Sequence, residues 1–164
     1  MTTADWHAAP VFGTREDGVR YTIRPSAYGL AQDDRGRIAV VRTPQGMYLP
    51  GGGIETGEAP AEAVVRELME ECGLVVCAGR WLGRAVQFLY SKSERTHFEK
   101  WSTFLDVSVE SVGSSGVEAD HELVWTAPSE ASAILTDGSH RWAVEQWISR
   151  PIESQPAPPR PGIN

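Results

Sequence analysis

The sequence predicts an α/β or α+β sandwich, and three observations point there. Short apolar runs bounded by turn clusters alternate with helical patterns along the chain. One segment, residues 60–72, carries apolar residues at helical spacing along a single face. Composition is that of a globular domain, with 41% hydrophobic and 23% charged residues in 164. That length fits one domain with a self-sufficient core, read here as a domain over 19–150 between an N-terminal arm (1–18) and a tail (151–164).

The arm is polar with little periodicity. Val19–Ile23 and Ser26–Ala31 read as short strands, and Asp33-Asp34-Arg35-Gly36-Arg37 as a turn leading into a strand at Ile38–Arg42. Met47–Leu49 is a further short strand, closed by Pro50, after which Gly51-Gly52-Gly53 breaks regular structure. Pro60 suits a first helical turn and Gly73 a helix end, so the helix spans 60–72 with Ala61, Val64, Val65, Leu68 and Cys72 facing inward. Leu74–Ala78, Arg84–Tyr90 and Lys100–Val109 read as strands, with a charged loop at 91–99. A Gly/Ser-rich, then acidic loop follows (Ser111–Asp120), then a strand at Leu123–Trp125. Ser129–Leu135 and Ser139–Ser149 read as helices, the second with Trp142, Val144, Trp147 and Ile148 inward. Five prolines in the last fourteen residues predict a disordered tail; Pro156–Pro159 fits the PxxP pattern of polyproline ligands only weakly.

Net charge excludes some functions. At −7, the chain is not expected to bind nucleic acid or an anionic membrane. Its longest aliphatic run, Ile38–Val41, is far short of the roughly twenty residues of a membrane span. Cys72 and Cys77 have no Cys/His partners for a zinc site, and the first ten residues lack the basic and apolar regions of a secretion signal. Two unpaired thiols suit a reducing compartment, so a cytoplasmic location is expected.

Most of the charge sits in one segment. Between Gly52 and Leu74, Glu55, Glu58, Glu62, Glu67, Glu70 and Glu71 face only Arg66. Glu67, Glu70 and Glu71 fall on one helical stripe, where two carboxylates 4 Å apart at a dielectric of about 20 repel by about 4 kcal/mol. A divalent cation reverses the sign, and all-oxygen ligands favour Mg²⁺ or Mn²⁺ over Zn²⁺. An ordinary solvated acidic face is the alternative. Gly51-Gly52-Gly53 just upstream offers backbone that can approach a ligand, with a carbonyl free to join the metal shell. Gly52-x4-Gly57 has phosphate-loop spacing, but Glu58 stands where that loop needs lysine, and Gly51-x-Gly53-x-x-Thr56 misses the dinucleotide fingerprint. Phosphate would have to be met through metal.

The stretch GGIETGEAPAEAVVRELMEECGL satisfies G-x5-E-x7-R-E-U-x-E-E-x-G-U at Gly52, Glu58, Arg66, Glu67, Leu68, Glu70, Glu71, Gly73 and Leu74. It resembles the Nudix box at every fixed position, with weaker similarity over roughly 20–148. The resemblance implies an α/β/α sandwich around a mixed β-sheet. It also implies a Mg²⁺-dependent pyrophosphohydrolase (Mn²⁺ a possible substitute) that cuts a diphosphate linkage in a nucleoside diphosphate joined to another moiety, by water attack at phosphorus. Dinucleoside polyphosphates or (d)NTPs are the favoured substrates, and a homodimer is compatible. By the same resemblance Glu67, Glu70 and Glu71 hold the metal with the Gly52 carbonyl, Arg66 orients the adjacent glutamate, and Glu58 supports Arg66.

The general base in such enzymes is a box glutamate or a later acid, so Glu67 and Glu70 stay open for that role. In the stretch 118–122 the leading candidate is Glu122, with Glu118 and Asp120 behind it. For substrate binding, Arg24 and Arg42 flank strands expected beside the helix, ahead of Arg84, Lys92, Arg95 and Lys100. Tyr48 is a candidate to stack a base, with Tyr28, Phe98 and Trp101 as others. Tyr90, sixteen residues past the box, resembles an aromatic mark of the diadenosine-polyphosphate branch; it equally suits a strand edge. Two other readings stand beside the hydrolase. One is a non-catalytic nucleotide-sensing Nudix module, which the intact box disfavours. The other is an isopentenyl diphosphate isomerase, which would need a reactive cysteine, whereas Cys72 falls on the buried face.

Overall fold

A computed structural model describes residues 6–113 and 119–150. Its elements are strands β1 (Val11–Phe12), β2 (Thr22–Gln32), β3 (Ile38–Thr43), β4 (Gly46–Tyr48) and β5 (Gly51–Gly53), helix α1 (Pro60–Cys72), strands β6 (Leu74–Ser91), β7 (Thr96–Val112) and β8 (Glu122–Thr126), and helices α2 (Pro128–Ile134) and α3 (Gly138–Ile148). The strands form one mixed sheet in the order β1-β6-β7-β2-β3-β4, with β5 paired to β2 and β8 to β3. β2 runs parallel to β7, while β6–β7, β2–β5 and β3–β8 are antiparallel.

Alternate side chains of the central strands feed two cores. Ala27, Ala31, Ala39, Val41, Leu105 and Val107 pack with Val64, Leu68 and Cys72 of α1. Their neighbours Tyr28, Leu30, Ile38, Val40 and Phe104 pack with Ala131 of α2 and with Ala143 and Val144 of α3. The sheet is therefore apolar on both faces and covered on both, which is the expected α/β/α sandwich. No helix among the described residues is long and apolar enough to cross a membrane.

α1 occupies the range its pattern predicts. Glu62 accepts the Ala59 N–H at 2.8 Å in the first turn. Gly73 ends the helix in the left-handed region (φ 64°), its N–H returning to the carbonyls of Leu68 and Met69. The buried face differs slightly: Ala63 is buried where Val65 was expected, and Val65 is exposed.

Other differences have physical causes. The two strands expected before and after Pro25 are one strand, β2, because the proline lies where its missing N–H is tolerated and its carbonyl accepts the Ile54 N–H at 3.0 Å. The strands at 74–78 and 84–90 are one strand, β6, bent by register shifts around Gly79–Gly83. The three glycines expected to break structure form β5, held in place by β2. Within the expected arm, Trp6 is buried against Trp101 and Val11–Phe12 pairs with Val86–Gln87. On α3 the buried face is Ser139, His140, Ala143 and Val144, and Ile148 is exposed. The Pro-rich tail and Glu118 lie outside the described residues.

Candidate active site

The site is built where β5, α1 and the start of β8 converge. β5 is pinned on three sides. It pairs with Ser26–Tyr28 of β2, Gly29 N–H donates to the Pro50 carbonyl at 2.9 Å, and Leu49 N–H donates to Nδ1 of buried His140 at 3.0 Å. α1 lies alongside, so its acidic stripe faces the glycine backbone. Gly51 N–H donates to Oε2 of Glu71 at 2.9 Å. A Cβ on Gly52 would fall 2.5 Å from Oε1 of Glu67, so only glycine lets this backbone come so near that carboxylate.

Arg66 organises the acidic cluster. Its Nε and Nη2 donate to the two oxygens of Glu58 at 2.8 and 2.9 Å, and Nη2 also reaches the Gly53 carbonyl at 3.0 Å. Its Nη1 donates to Glu67 at 2.9 Å and to Glu70 at 3.2 Å. These bonds hold the Glu58 carboxyl down to about 2 and raise the guanidinium further above its already high value. Loop 54–59 is closed by Glu58, which also accepts the Glu55 N–H at 2.9 Å.

A cleft of about 970 Å³ opens over these groups, lined by Gly51–Gly53, Glu67, Glu70 and Glu71 on one side. Among the described residues, no three His, Cys, Asp or Glu side chains are gathered into a finished metal cage, since Glu67 and Glu70 lean on Arg66 and Glu71 on Gly51. The donor set nevertheless fits a hard divalent cation. Three carboxylates and the backbone of a residue without a side chain share one wall, with no thiol directed at it.

Of the other expected site residues, Arg24, Tyr48 and Tyr90 line this cleft, as do Tyr28, Lys92, Phe98 and Lys100. Arg24 sits 5.1 Å from the Phe98 ring centroid and pairs with Glu94 at 2.7 Å. Tyr48 gives its hydroxyl to the Gln45 carbonyl at 3.3 Å, and burial pushes that phenol up. Tyr90 is half exposed beside the His97 ring, 4.7 Å away. Arg42 and Glu122 do not line the cleft. They face each other across the β3–β8 ladder and form an exposed ion pair at 2.9 Å. Arg84 is also elsewhere, stacked against Trp6 and Trp81.

His121, next to Glu122, is what reaches the site. Its Nε2 lies 3.3 Å from Oε1 of Glu71, and its Nδ1 lies 3.0 Å from Asp120. Sequence reasoning passed over His121 in favour of the flanking acids, and passed over Asp137, which also lines the cleft.

An α/β/α sandwich that presents a glutamate stripe to a glycine strand, with an arginine bracing both, defines a class of phosphoanhydride hydrolases. A family model described as NUDIX domain matches residues 22–148, and the chain belongs to the Nudix family as a Nudix hydrolase. Solved structures similar to it include a NUDIX hydrolase from Nitrosomonas europaea (17% identity, TM-score 0.63, covering 78% of this chain and 90% of that one). The E. coli dihydroneopterin triphosphate pyrophosphohydrolase is similar at 18% identity and TM-score 0.60, covering 78% and 97%. A MutT NUDIX hydrolase from Burkholderia pseudomallei shares 27% identity at TM-score 0.54, covering 76% and 98%.

Proposed function

We propose that this chain is a Mg²⁺-dependent pyrophosphohydrolase acting on a nucleoside diphosphate joined to another moiety, with (d)NTPs or dinucleoside polyphosphates as substrates. The observation that carries this is the wall formed by Glu67, Glu70, Glu71 and the Gly52 backbone, braced by Arg66. Those three carboxylates with the Gly52 carbonyl would hold the cation. Such an ion supplies charge neutralisation at the phosphates and a more acidic bound water.

Every other function falls to the chain's own residues. Arg66 fixes the directions of Glu67 and Glu70, so that the acidic stripe keeps its shape when charge enters. Arg24 and Lys100 offer positive charge to phosphate oxygens; for Arg24 an incoming phosphate would take the place of Glu94. Tyr48 and Tyr90 supply flat faces for a base. A proton from the attacking water would be taken by a box glutamate within the cleft. Glu122 could take that part only by leaving Arg42. The two free thiols, one of them exposed, fit a reducing, cytoplasmic setting.

The test is release of nucleotide products with Mg²⁺ from a panel of dinucleoside polyphosphates, (d)NTPs and nucleotide sugars, followed by mass spectrometry in ¹⁸O-labelled water. Turnover on one class, reduced at least a hundredfold in Glu71→Gln, is expected. Absence of turnover across the panel, or full activity in that variant, overturns the proposal.

A further inference from the structure

The approach to β8 brings to the acidic stripe one side chain that lies outside the glutamate segment. Leu123 and Trp125 pack against the α1 core, whereas Glu122 faces Arg42 across the β3–β8 ladder. His121, two residues before Leu123, points the same way as Leu123, toward α1. There its Nε2 lies 3.3 Å from Oε1 of Glu71, and the side chain is only 16% exposed. The residue lines the same cleft as Glu67, Glu70 and Glu71.

Both sides of the ring suit a metal ligand. On the far side, Nδ1 meets Oδ1 of Asp120 at 3.0 Å. A histidine that binds metal through one nitrogen usually gives the other N–H to a carboxylate, which fixes the tautomer and makes the ligating nitrogen more basic. With the hydrogen on Nδ1, the lone pair of Nε2 faces Oε1 of Glu71, and two acceptors confront each other. A divalent ion bound by both removes that conflict. The separation suits it, since ligands about 2.1 Å from an octahedral ion stand about 3.0 Å apart at adjacent positions, close to 3.3 Å. Glu71 is oriented to match. Its other oxygen, Oε2, accepts the Gly51 N–H at 2.9 Å, which keeps Oε1 toward the ring. Glu67 and Glu70 lean instead on Arg66, so Glu71 is the carboxylate that His121 can join.

We propose that His121 adds an imidazole nitrogen to the carboxylate set, making Glu71 and His121 a mixed oxygen–nitrogen pair on one divalent ion. Oxygen ligands alone suit Mg²⁺, whereas imidazole raises affinity for Mn²⁺, Co²⁺ and Ni²⁺, increasingly in that order. The site then selects a transition ion more strongly than its glutamates could alone. Asp120 is a positioning residue, holding the ring hydrogen at Nδ1 and acting on the ion only through His121. A ring that merely hydrogen-bonded Glu71 would orient that carboxylate alike for every cation, and would leave the order of metal affinities untouched.

This inference rests on the metal-dependent reading of the cleft, and its test is spectroscopy and binding on the untagged full chain rather than turnover. Electron spin-echo modulation of bound Mn²⁺ should show a directly coordinated imidazole ¹⁴N, lost in His121→Gln. Calorimetry should find Ni²⁺ affinity at least tenfold lower in that variant and Mg²⁺ affinity within threefold of the parent. Glutamine can still donate to Glu71, so a role in orientation alone predicts no change in the Ni²⁺:Mg²⁺ ratio. Asp120→Asn should keep the nitrogen signal and show a smaller loss of Ni²⁺ affinity. Mn²⁺ bound without an imidazole nitrogen, or a signal and affinity ratio unchanged in His121→Gln, overturns the inference and leaves the hydrolase reading intact. Failure to take up any divalent ion overturns both. Nitrogen ligation without hydrolysis of any nucleotide removes the hydrolase reading and leaves the ligand standing.

Discussion

Glu58 and Arg66 meet as a two-pronged ion pair, Nε to one carboxylate oxygen at 2.8 Å and Nη2 to the other at 2.9 Å, while the far side of the same guanidinium holds Glu67 and Glu70. Glu58 does not line the cleft; it acts through Arg66. Removing such a support typically lowers metal affinity or activity by about 10–100-fold. Glu58→Gln should fall in that range, with part of the loss recovered at high Mg²⁺. Arg66→Lys should be worse, because an ammonium cannot span Glu58 and Glu67 together. Steady-state rates across a Mg²⁺ titration read both effects.

Gly52→Ala tests the close approach of β5 to α1. The new methyl would stand 2.5 Å from Oε1 and 2.7 Å from Cδ of Glu67, closer than packed atoms come, so the carboxylate must swing away. The clash involves the end of a side chain rather than backbone. Stability should therefore change little while Mn²⁺ affinity and turnover drop by at least tenfold. Calorimetric Mn²⁺ titration beside a thermal melt separates the two outcomes.

How much of this was legible in the sequence depends on whether the signal was local. α1 was readable to the residue because Pro60, Gly73 and the apolar spacing all act within one helix, and the acidic stripe came with it. β5 was not, since glycine has no strand preference and Gly51–Gly53 is a strand only because β2 supplies the partner. The inward face of α3 was assigned to Trp142, Val144, Trp147 and Ile148. Val144 is buried and the two tryptophans pack against the core, but Ile148 is exposed, and tertiary packing also buries the polar Ser139 and His140. Sequence proximity favoured Glu122, but the β3–β8 register turns it toward Arg42 and leaves His121 beside Glu71. Asp137 gave no local sign, because the α2–α3 junction borders the cleft through a long-range contact, the Thr136 N–H donating to the Met47 carbonyl of β4 at 2.9 Å.

The two thiols should differ in reactivity. Cys72 is buried in the α1 core, where burial and the neighbouring Glu71 push it up to about 12. Cys77 is exposed, though Glu110, which accepts its thiol hydrogen at 3.0 Å, raises it as well. Maleimide at pH 7.5 should therefore label the native protein once, slowly, at Cys77, and twice after denaturation; peptide mass mapping locates the label. Rapid native labelling of Cys72 would contradict the packing of α1 and reopen a nucleophilic role for that residue.

Acid should weaken the fold in two separable steps. Buried His140 accepts the Leu49 N–H through Nδ1, and burial holds its pKa well below 6.5. Below 6.5 the unfolded chain binds a proton there that the folded chain does not, so this contribution is complete above 6.5 and shrinks as pH falls. Glu58 behaves similarly in a lower window. Its ordinary value of 4.5 is held to about 2 by Arg66, so the stabilisation is complete above 4.5 and is lost as pH falls toward 2. Thermal midpoints from pH 7 to 2 should fall first below 6.5 and more steeply below 4.5. In Glu58→Gln the first decline should persist and the second should flatten. In His140→Asn, whose amide oxygen can still accept the Leu49 N–H, the first should flatten and the second persist. A Glu58→Gln profile that still parallels the wild type below 4.5 would show that the Glu58–Arg66 pair contributes nothing to the folded state.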